Sequence, residues 1–174
     1  ELLNKNILIA GFGRIGKKLI SRCLAFDTNV YVYDPYVDEK IIKECGGIKV
    51  DKMEDGLKKA DYVSLHMPFT NETKNLINYS VLKTMKKNSI IINTARGGII
   101  NELELEKALN EGLIFGAALD VFSKEPVEKD NPLLKNKKVI LSPHSATFTD
   151  ECTSRMGIET TKNIIDFFEN KIDK

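Results

Sequence analysis

Short runs of apolar, largely β-branched residues alternate along the chain with stretches of helical spacing, and this alternation constrains the fold more than any other feature. Several runs contain almost no polar residue, as expected of strands buried on both faces of a parallel sheet. Because the connections are short, the pattern predicts an α/β fold, a doubly wound parallel sheet with helices on both faces. The predicted strands are Asn6–Ala10, Val30–Tyr33, Tyr62–Leu65, Ser89–Asn93, Phe115–Leu119 and Val139–Leu141.

The intervening stretches predict helices, each with one apolar face. The first helix is predicted to bury residues that recur at about one turn, namely Ile15, Leu19, Cys23 and Phe26. Another begins at Asn101, which can cap it, with Glu104 at the third helical position, and it ends before Gly112. The tail from Thr153 to Lys171 is predicted as a long amphipathic helix with an apolar stripe of Ile158, Ile165, Phe168 and Ile172.

Size and composition indicate one ordinary domain of 174 residues, with 42% hydrophobic and 29% charged side chains. The net charge of +1 gives no reason to expect a nucleic acid or an anionic membrane as partner. No apolar run approaches the roughly 18 residues of a membrane span, and no signal peptide opens the sequence. Cys23, Cys45 and Cys152 are too scattered for a disulfide framework, so reduced thiols and a cytoplasmic location are expected. The first residue, Glu1 rather than Met, favours a piece of a longer protein.

A glycine-rich turn joins the first predicted strand to the first predicted helix. The run Gly11–Gly16 has the spacing G-x-G-x-x-G, which gains specificity from the strand before it and the helix after it. Gly11 permits a tight turn, Gly13 lets a pyrophosphate approach the backbone, and Gly16 allows close packing of helix and strand. The helix N-terminus offers free N–H groups to phosphates, and Arg14 adds a charged donor. The turn therefore predicts a dinucleotide site of the Rossmann type.

An acidic residue, Asp34, occupies the position at which a dinucleotide site of this type requires one. Asp34 ends the second predicted strand, at about the 20-residue distance from the glycines that these folds use. A carboxylate there accepts hydrogen bonds from ribose hydroxyls and repels a 2′-phosphate, so NAD is favoured over NADP. The alternative is an α/β protein that binds no nucleotide, in which Asp34 merely ends a strand. The glycines and the acid together favour the dinucleotide.

A candidate catalytic group follows the last predicted strand, where open α/β sheets place their ligands. Of the two histidines, His144 stands there, and imidazole suits the removal of a hydroxyl proton near neutral pH. A carboxylate on its other ring nitrogen would fix the tautomer, and Glu125 is the candidate. A carboxylate substrate calls for a planar cation, and Arg96 follows another strand end. The structural alternatives are a histidine that only follows a strand, an exposed loop acid and a surface arginine.

Six stretches occur in the order of a known family, and the match that they carry extends over essentially all 174 residues. They are Gly11–Gly16, Val32–Pro35, Asp61–Pro68, Asn93–Gly98, Gly116–Phe122 with Glu125-Pro126, and Ser142–His144. On these motifs the chain resembles the NAD-binding domain of the D-isomer-specific 2-hydroxyacid dehydrogenases. That family includes D-3-phosphoglycerate, D-lactate and glycerate/hydroxypyruvate dehydrogenases.

The resemblance implies a role for each matching residue. Arg96 is expected to orient the substrate by its carboxylate and 2-oxo group, His144 to act as acid and base, and Glu125 to pair with His144. Glutamate rather than glutamine at that position argues against a formate dehydrogenase. The implied cofactor-binding residues are Gly11, Gly13, Arg14, Ile15, Gly16, Asp34, Pro35, His66, Pro68, Thr73, Thr94, Ala95, Asp120 and Ala146. No metal site is predicted.

One stretch departs from the family pattern. Where the family often has small glycine-rich residues after the histidine, this chain has Ser145–Phe148, and Phe148 is bulky for the rim of a site. The bulk is expected to alter the packing of the substrate or of the nicotinamide.

The expected enzyme transfers hydride between a D-2-hydroxy acid, or the matching 2-oxo acid, and NAD(H). Residues 1–174 are expected to form one dinucleotide-binding domain, without the substrate domain that the family builds from its chain termini. The isolated domain should bind NAD with little turnover, and the full-length protein is expected to be a homodimer. The alternatives are an NAD(H)-sensing or scaffold protein that keeps the fold, and another NAD oxidoreductase that shares only the glycine motif.

Overall fold

A computed structural model describes residues 1–171 of the chain. Within them lies one sheet of seven parallel strands in the order β3-β2-β1-β4-β5-β6-β7. The strands are β1 (Asn6–Ala10), β2 (Asn29–Tyr33), β3 (Ile48–Lys49), β4 (Tyr62–Leu65), β5 (Ile90–Asn93), β6 (Gly116–Leu119) and β7 (Val139–Leu141). The helices are α1 (Arg14–Leu24), α2 (Glu39–Glu44), α3 (Met53–Lys59), α4 (Tyr79–Leu82), α5 (Glu102–Asn110), a 3-10 helix (Pro132–Lys135) and α6 (Asp150–Phe168).

The strand order reverses between β1 and β4, which pair in parallel at the centre of the sheet. The chain first adds β2 and β3 on one side of β1 and then β4 to β7 on the other. In such sheets, ligands bind beyond the carboxyl ends of the strands that flank the reversal. The predicted Rossmann fold is therefore confirmed.

Alternate residues of β1 enter two separate apolar clusters, one on each face of the sheet. Ile7 and Ile9 pack with residues of α1 and α2, whereas Leu8 and Ala10 pack with residues of α3 and α5. The alternation follows from the period-two geometry of a strand. Both faces of the sheet are covered at its centre, and β1 is accordingly apolar and buried from Ile7 to Ala10, as its sequence indicates.

The strand β3 and the buried face of α1 differ most from the sequence analysis, and β2, β5 and β6 each begin one residue away from their predicted start. The strand β3 was not predicted, because it has only two residues, Ile48 being exposed and Lys49 half-buried, and so lacks an apolar run. In α1 the buried residues are Gly16, Ile20 and Cys23. The predicted stripe was wrong at Ile15 and Phe26, which are 65% and 59% exposed. Gly16 lies against the Gly11 backbone, so the face of the helix that carries Gly16, Ile20 and Cys23 is the buried one.

The predicted caps of α5 form with one difference. The Asn101 side chain accepts a hydrogen bond from the Glu104 N–H, and Gly112 follows the helix with a φ of +69°. The Glu104 carboxylate does not bond back to Asn101, as a capping box would require. It accepts from the N–H of Tyr79 at 2.6 Å instead. The acid therefore joins α5 to α4.

The described residues form two compact units, Glu1–His144 and the segment from Ser145 onward. In the second unit, Thr149 caps α6 by accepting from the Cys152 N–H, so the helix begins three residues before the predicted start. None of its residues is buried, and the predicted apolar residues Ile158, Ile165 and Phe168 are exposed. Ile172, also predicted on that stripe, lies outside the described residues. In residues 1–171 we find no helix with the length and apolarity that a membrane crossing requires.

Candidate active site

The three glycines of the turn have different surroundings. At Gly11, with a φ of +98°, an added Cβ would lie 2.6 Å from the carbonyl carbon of His66. At Gly16 it would lie 2.4 Å from the Gly11 carbonyl oxygen. At Gly13 it would meet nothing within 4 Å. The packing of the protein itself thus requires glycine at Gly11 and Gly16, whereas the space beside Gly13 is open to an approaching ligand.

The N-terminus of α1 faces this open space without a side-chain cap. Gly13 is the N-cap residue, and the first turn contains no acidic residue. Arg14 and Ile15, both predicted to bind the cofactor, are exposed at the start of the helix. The free N–H groups and the positive end of the helix dipole fit a phosphate group.

Asp34 is tied to the glycine turn by its side chain. One carboxylate oxygen accepts from the N–H of Phe12 at 2.8 Å, and the other accepts from the N–H of Tyr36 at 2.9 Å. Each oxygen keeps a lone pair for a further donor. The acid therefore holds the turn in place and can also accept hydrogen bonds from ribose hydroxyls.

A cleft of about 440 Å³ runs beside the turn and brings together half of the predicted cofactor-binding residues. Its predicted members are Gly11, Gly13, Asp34, Pro35, His66, Pro68 and Thr73. Tyr33, Tyr36, Met67 and Leu76 add apolar surface that the sequence analysis did not assign. An apolar slot with an acid at one end fits an adenosine.

One wall of this cleft is a loop that is held in shape by hydrogen bonds between its own residues. The Thr73 hydroxyl donates to the Pro68 carbonyl at 2.7 Å and accepts from the Thr70 N–H at 2.7 Å. His66 is half-buried before the loop, where its Nε2 hydrogen-bonds the Ser64 hydroxyl at 2.8 Å. Burial lowers the pKa of His66 below its ordinary value, so this imidazole is neutral in the folded protein.

A second cleft, of about 630 Å³, is lined by all three predicted catalytic residues, Arg96, Glu125 and His144. They come from the ends of different strands and are far apart in the sequence. The rest of its lining is Phe69, Lys74, Asn75, Gly97, Gly98, Phe122 and Ser123. Both clefts lie on the loop between β4 and α4, with Thr73 on one and Lys74 on the other.

His144 and Glu125 form a hydrogen-bonded pair. The Nδ1 of His144 lies 2.7 Å from Oε2 of Glu125, and the other carboxylate oxygen accepts from the Phe122 N–H at 2.9 Å. The hydrogen bond from His144 and then the one from Phe122 lower the pKa of the Glu125 carboxyl. Because the carboxylate binds Nδ1, Nε2 of His144 is the nitrogen left for exchange of a proton with a ligand.

The turn that carries Arg96 depends on a residue that the sequence analysis did not assign, Asn93. This side chain is 2% exposed at the end of β5; its Nδ2 donates to the Arg96 carbonyl at 2.9 Å, and its Oδ1 accepts from the Ala95 N–H at 3.0 Å. The Arg96 guanidinium is exposed and donates one hydrogen bond, to the Ala95 carbonyl. Its remaining donors are available to a ligand. Asn93 could have been suspected because it is a polar residue at the end of an otherwise apolar strand.

The remaining predicted cofactor residues lie outside the lining of both clefts. Asp120 is 3% exposed and accepts from the Ser142 hydroxyl at 2.6 Å, which connects the ends of β6 and β7. Thr94 is exposed and Ala95 half-buried after β5. Ala146 belongs to the second unit. Among residues 1–171, no cluster of His, Cys, Asp and Glu side chains could hold a metal ion.

Comparison with known proteins identifies this arrangement. Residues 1–146 match the family described as D-isomer specific 2-hydroxyacid dehydrogenase, NAD binding domain. A D-3-phosphoglycerate dehydrogenase of Methanocaldococcus jannaschii is 42% identical over 94% of the chain, and a glyoxylate reductase of Korarchaeum cryptofilum is 39% identical over 99%. The solved NAD complex of a D-isomer specific 2-hydroxyacid dehydrogenase from Lactobacillus delbrueckii superposes on 98% of the chain with a TM-score of 0.86 and 29% identity.

The chain spans only part of each of these proteins. It covers 31% of the M. jannaschii relative, 52% of the K. cryptofilum relative and 54% of the L. delbrueckii chain. The match to the NAD-binding domain confirms the predicted family and NAD as the predicted cofactor.

Proposed function

Because the chain belongs to the D-isomer specific 2-hydroxyacid dehydrogenase family, we propose that its full-length protein interconverts a D-2-hydroxy acid and the matching 2-oxo acid. Arg96, Glu125 and His144 are the proposed catalytic residues. The observation that carries the proposal is the pairing of His144 with Glu125 in a cleft that Arg96 also lines.

The residues beside the glycine turn fit NAD. The open space at Gly13 and the uncapped start of α1 suit a pyrophosphate, and Asp34 suits the adenosine ribose. NAD supplies the acceptor and donor of hydride when it is bound. The protein's part is to orient the substrate, move a proton and exclude water.

His144 is proposed to take the hydroxyl proton during oxidation and to return it during reduction. The hydrogen bonds from His144 and Phe122 lower the pKa of Glu125 and so favour its ionised form, and this carboxylate stabilises the imidazolium that forms on His144. Because Nδ1 is bonded to Glu125, Nε2 is the proposed proton-exchanging atom. The pair thus has the base and the orienting group that proton transfer needs.

Arg96 is proposed to bind the carboxylate of the substrate. A guanidinium can donate two parallel hydrogen bonds to a carboxylate, which fixes the orientation of the acid as well as its position. The same cation can polarise the neighbouring 2-oxo group and favour its reduction. The Asn93 contacts hold the turn in the conformation that presents Arg96.

The test uses the full-length protein with a panel of D- and L-2-hydroxy acids and 2-oxo acids, followed by NADH absorbance. His144→Ala should lower kcat by about 10²–10⁴-fold, the usual contribution of a positioned acid–base group, with NAD affinity unchanged. Glu125→Gln should also lower kcat, whereas the matched control Glu128→Gln, which removes an exposed acid paired with Lys124, should not.

The same experiment separates the enzyme from the NAD-sensing alternative. A protein that binds NAD, turns over no acid in the panel and keeps its binding properties in the His144→Ala variant would be a sensor or scaffold. Turnover of the L-isomers alone would also contradict the proposal.

We propose a homodimer for the full-length protein and a cytoplasmic location. Support for the dimer comes from apolar side chains at the β7 edge of the sheet, where Phe115 is 64% and Ile140 75% exposed. Cys23, Cys45 and Cys152 are free thiols, in keeping with a reducing compartment. Sedimentation equilibrium of the full-length protein tests the dimer, and localisation of a tagged protein tests the cytoplasmic location.

A further inference from the structure

We propose that Lys74 binds a second anionic group of the substrate. The preferred substrates are then 2-hydroxy and 2-oxo acids that carry a phosphate or carboxylate at the far end of the carbon chain. This inference rests on the proposed function and narrows its substrate class.

Lys74 lines the same cleft as Arg96 and His144. Its loop is fastened to the turn that follows Arg96, since the N–H of Asn75 donates to the Gly98 carbonyl at 2.8 Å. Phe69 of the same loop packs on Gly98, where an added Cβ would lie 2.8 Å from the ring. These contacts hold the backbone of Lys74 beside the Arg96 turn.

The Lys74 ammonium has no ion-pair partner within residues 1–171, although other lysines do. Lys86, for instance, is paired with Asp61 at 2.8 Å. The acid of the cleft, Glu125, is engaged by His144 and by the Phe122 N–H. Lys74 and Arg96 therefore remain as two cations that no carboxylate neutralises, and their combined field favours a ligand with two negative charges.

The two cations suit different parts of such a ligand. The planar guanidinium of Arg96 matches the 2-carboxylate next to the reacting carbon, beside His144. Lys74 is a compact charge on a flexible stem, which suits a phosphate or a terminal carboxylate whose position varies. Phe69 and Phe122 also line the cleft, and an apolar residue there suits the carbon chain between the two charges. A small acid such as glyoxylate would engage Arg96 only.

The test compares substrates that differ by one charge, with the full-length protein. Phosphohydroxypyruvate is measured against hydroxypyruvate, and 2-oxoglutarate against 2-oxopentanoate. In the wild type the charged member of at least one pair should have the higher kcat/KM. Lys74→Gln should lower kcat/KM for that member by about 10- to 100-fold, the value of a hydrogen bond to a charged group.

The loss should lie mainly in KM, because the distal charge is bound alike in the ground and transition states. The uncharged member should change by less than about threefold, and Lys74→Arg should retain most of the preference. The control Lys83→Gln removes the same charge from an exposed residue after α4 and should behave as wild type. The pair that responds identifies the group as phosphate or carboxylate.

Equal losses for both members of a pair, or no preference for either charged substrate, would overturn the inference while the proposed function stands. Wild-type protein that turns over none of these four acids but does turn over another acid of the panel would overturn the inference alone. Wild-type protein that turns over no acid of the whole panel would refute the proposed function itself, and the inference with it. Raised ionic strength should shrink the preference for the charged member, since the Lys74 ammonium is exposed.

Discussion

The contrast between Gly11 and Gly13 gives a prediction that separates folding from cofactor binding. Alanine at either position adds the same single methyl group. At Gly13 the backbone has a φ of −75°, which alanine adopts freely, and the added Cβ meets nothing within 4 Å. At Gly11 the φ is +98°, and the Cβ would lie 2.6–2.8 Å from backbone atoms of His66 and Met67.

Gly11→Ala should therefore impair folding, whereas Gly13→Ala should impair NAD binding. Gly13→Ala should alter the free energy of unfolding by no more than about 1 kcal/mol, because the gain from a stiffer unfolded chain is offset by a poorer N-cap. Gly11→Ala should cost about 2–5 kcal/mol, since about 1–2 kcal/mol for a left-handed non-glycine residue adds to about 1–3 kcal/mol for forced displacement of the backbone. NAD affinity should fall by about 10- to 100-fold in Gly13→Ala, as one charge-assisted bond to the pyrophosphate is lost.

Urea denaturation measures the free energy of unfolding, and calorimetric titration measures the affinity for NAD. The reasoning predicts a Gly13→Ala protein that is as stable as the wild type and binds NAD weakly. A Gly13→Ala protein that binds NAD with unchanged Kd would show that the pyrophosphate does not approach this backbone. A loss of more than about 2 kcal/mol in that variant would show that the open space is filled in solution.

Two further changes test the packing around the clefts. Gly97→Ala should lower the free energy of unfolding by more than about 3 kcal/mol, because the new Cβ would lie 1.7 Å from the Phe122 carbonyl oxygen. Urea denaturation measures this loss, and near-wild-type stability would contradict the contact. Burial lowers the pKa of His66 below its ordinary 6.5, so the unfolded chain takes up the proton first, and the free energy of unfolding should fall as the pH drops below about 6.5. Between about pH 7.5 and 5.5, the His66→Gln variant should lose less of this free energy than the wild type. An equal loss would contradict the assignment.

The elements that the sequence predicts well are those whose burial is strongly one-sided or complete. The strands β1, β4 and β7 have the predicted bounds, because turns or charged residues interrupt apolar runs at both ends. The strand β3 carries too few residues to produce a pattern. In α1 the helical period was visible, but its phase was set by the contact of Gly16 with Gly11, and a glycine adds nothing to an apolar stripe.

The candidate site follows the same division. Arg96 and His144 could be proposed from the sequence because each follows a strand end, and the carboxyl ends of parallel strands meet at one edge of a sheet. Asn93 could only be suspected, as a polar residue at the end of an apolar strand, because its hydrogen bonds to the backbone of its own turn do not follow from residue spacing. Lys74 is one of many lysines in the sequence and stands in a polar loop, so that only the fold places it in the cleft.

The three proposed catalytic residues are held in one cleft by backbone contacts as much as by side chains. Because Gly97 has no Cβ, the chain at Phe122 passes against the Arg96 turn. The N–H of the same Phe122 donates to Glu125, and Glu125 in turn binds His144. A shift of the Phe122 backbone would therefore move the substrate-binding cation and the proton-transfer pair relative to each other. Since reacting groups tolerate only small displacements, Gly97 and Phe122 should matter to turnover although neither carries a group that can react.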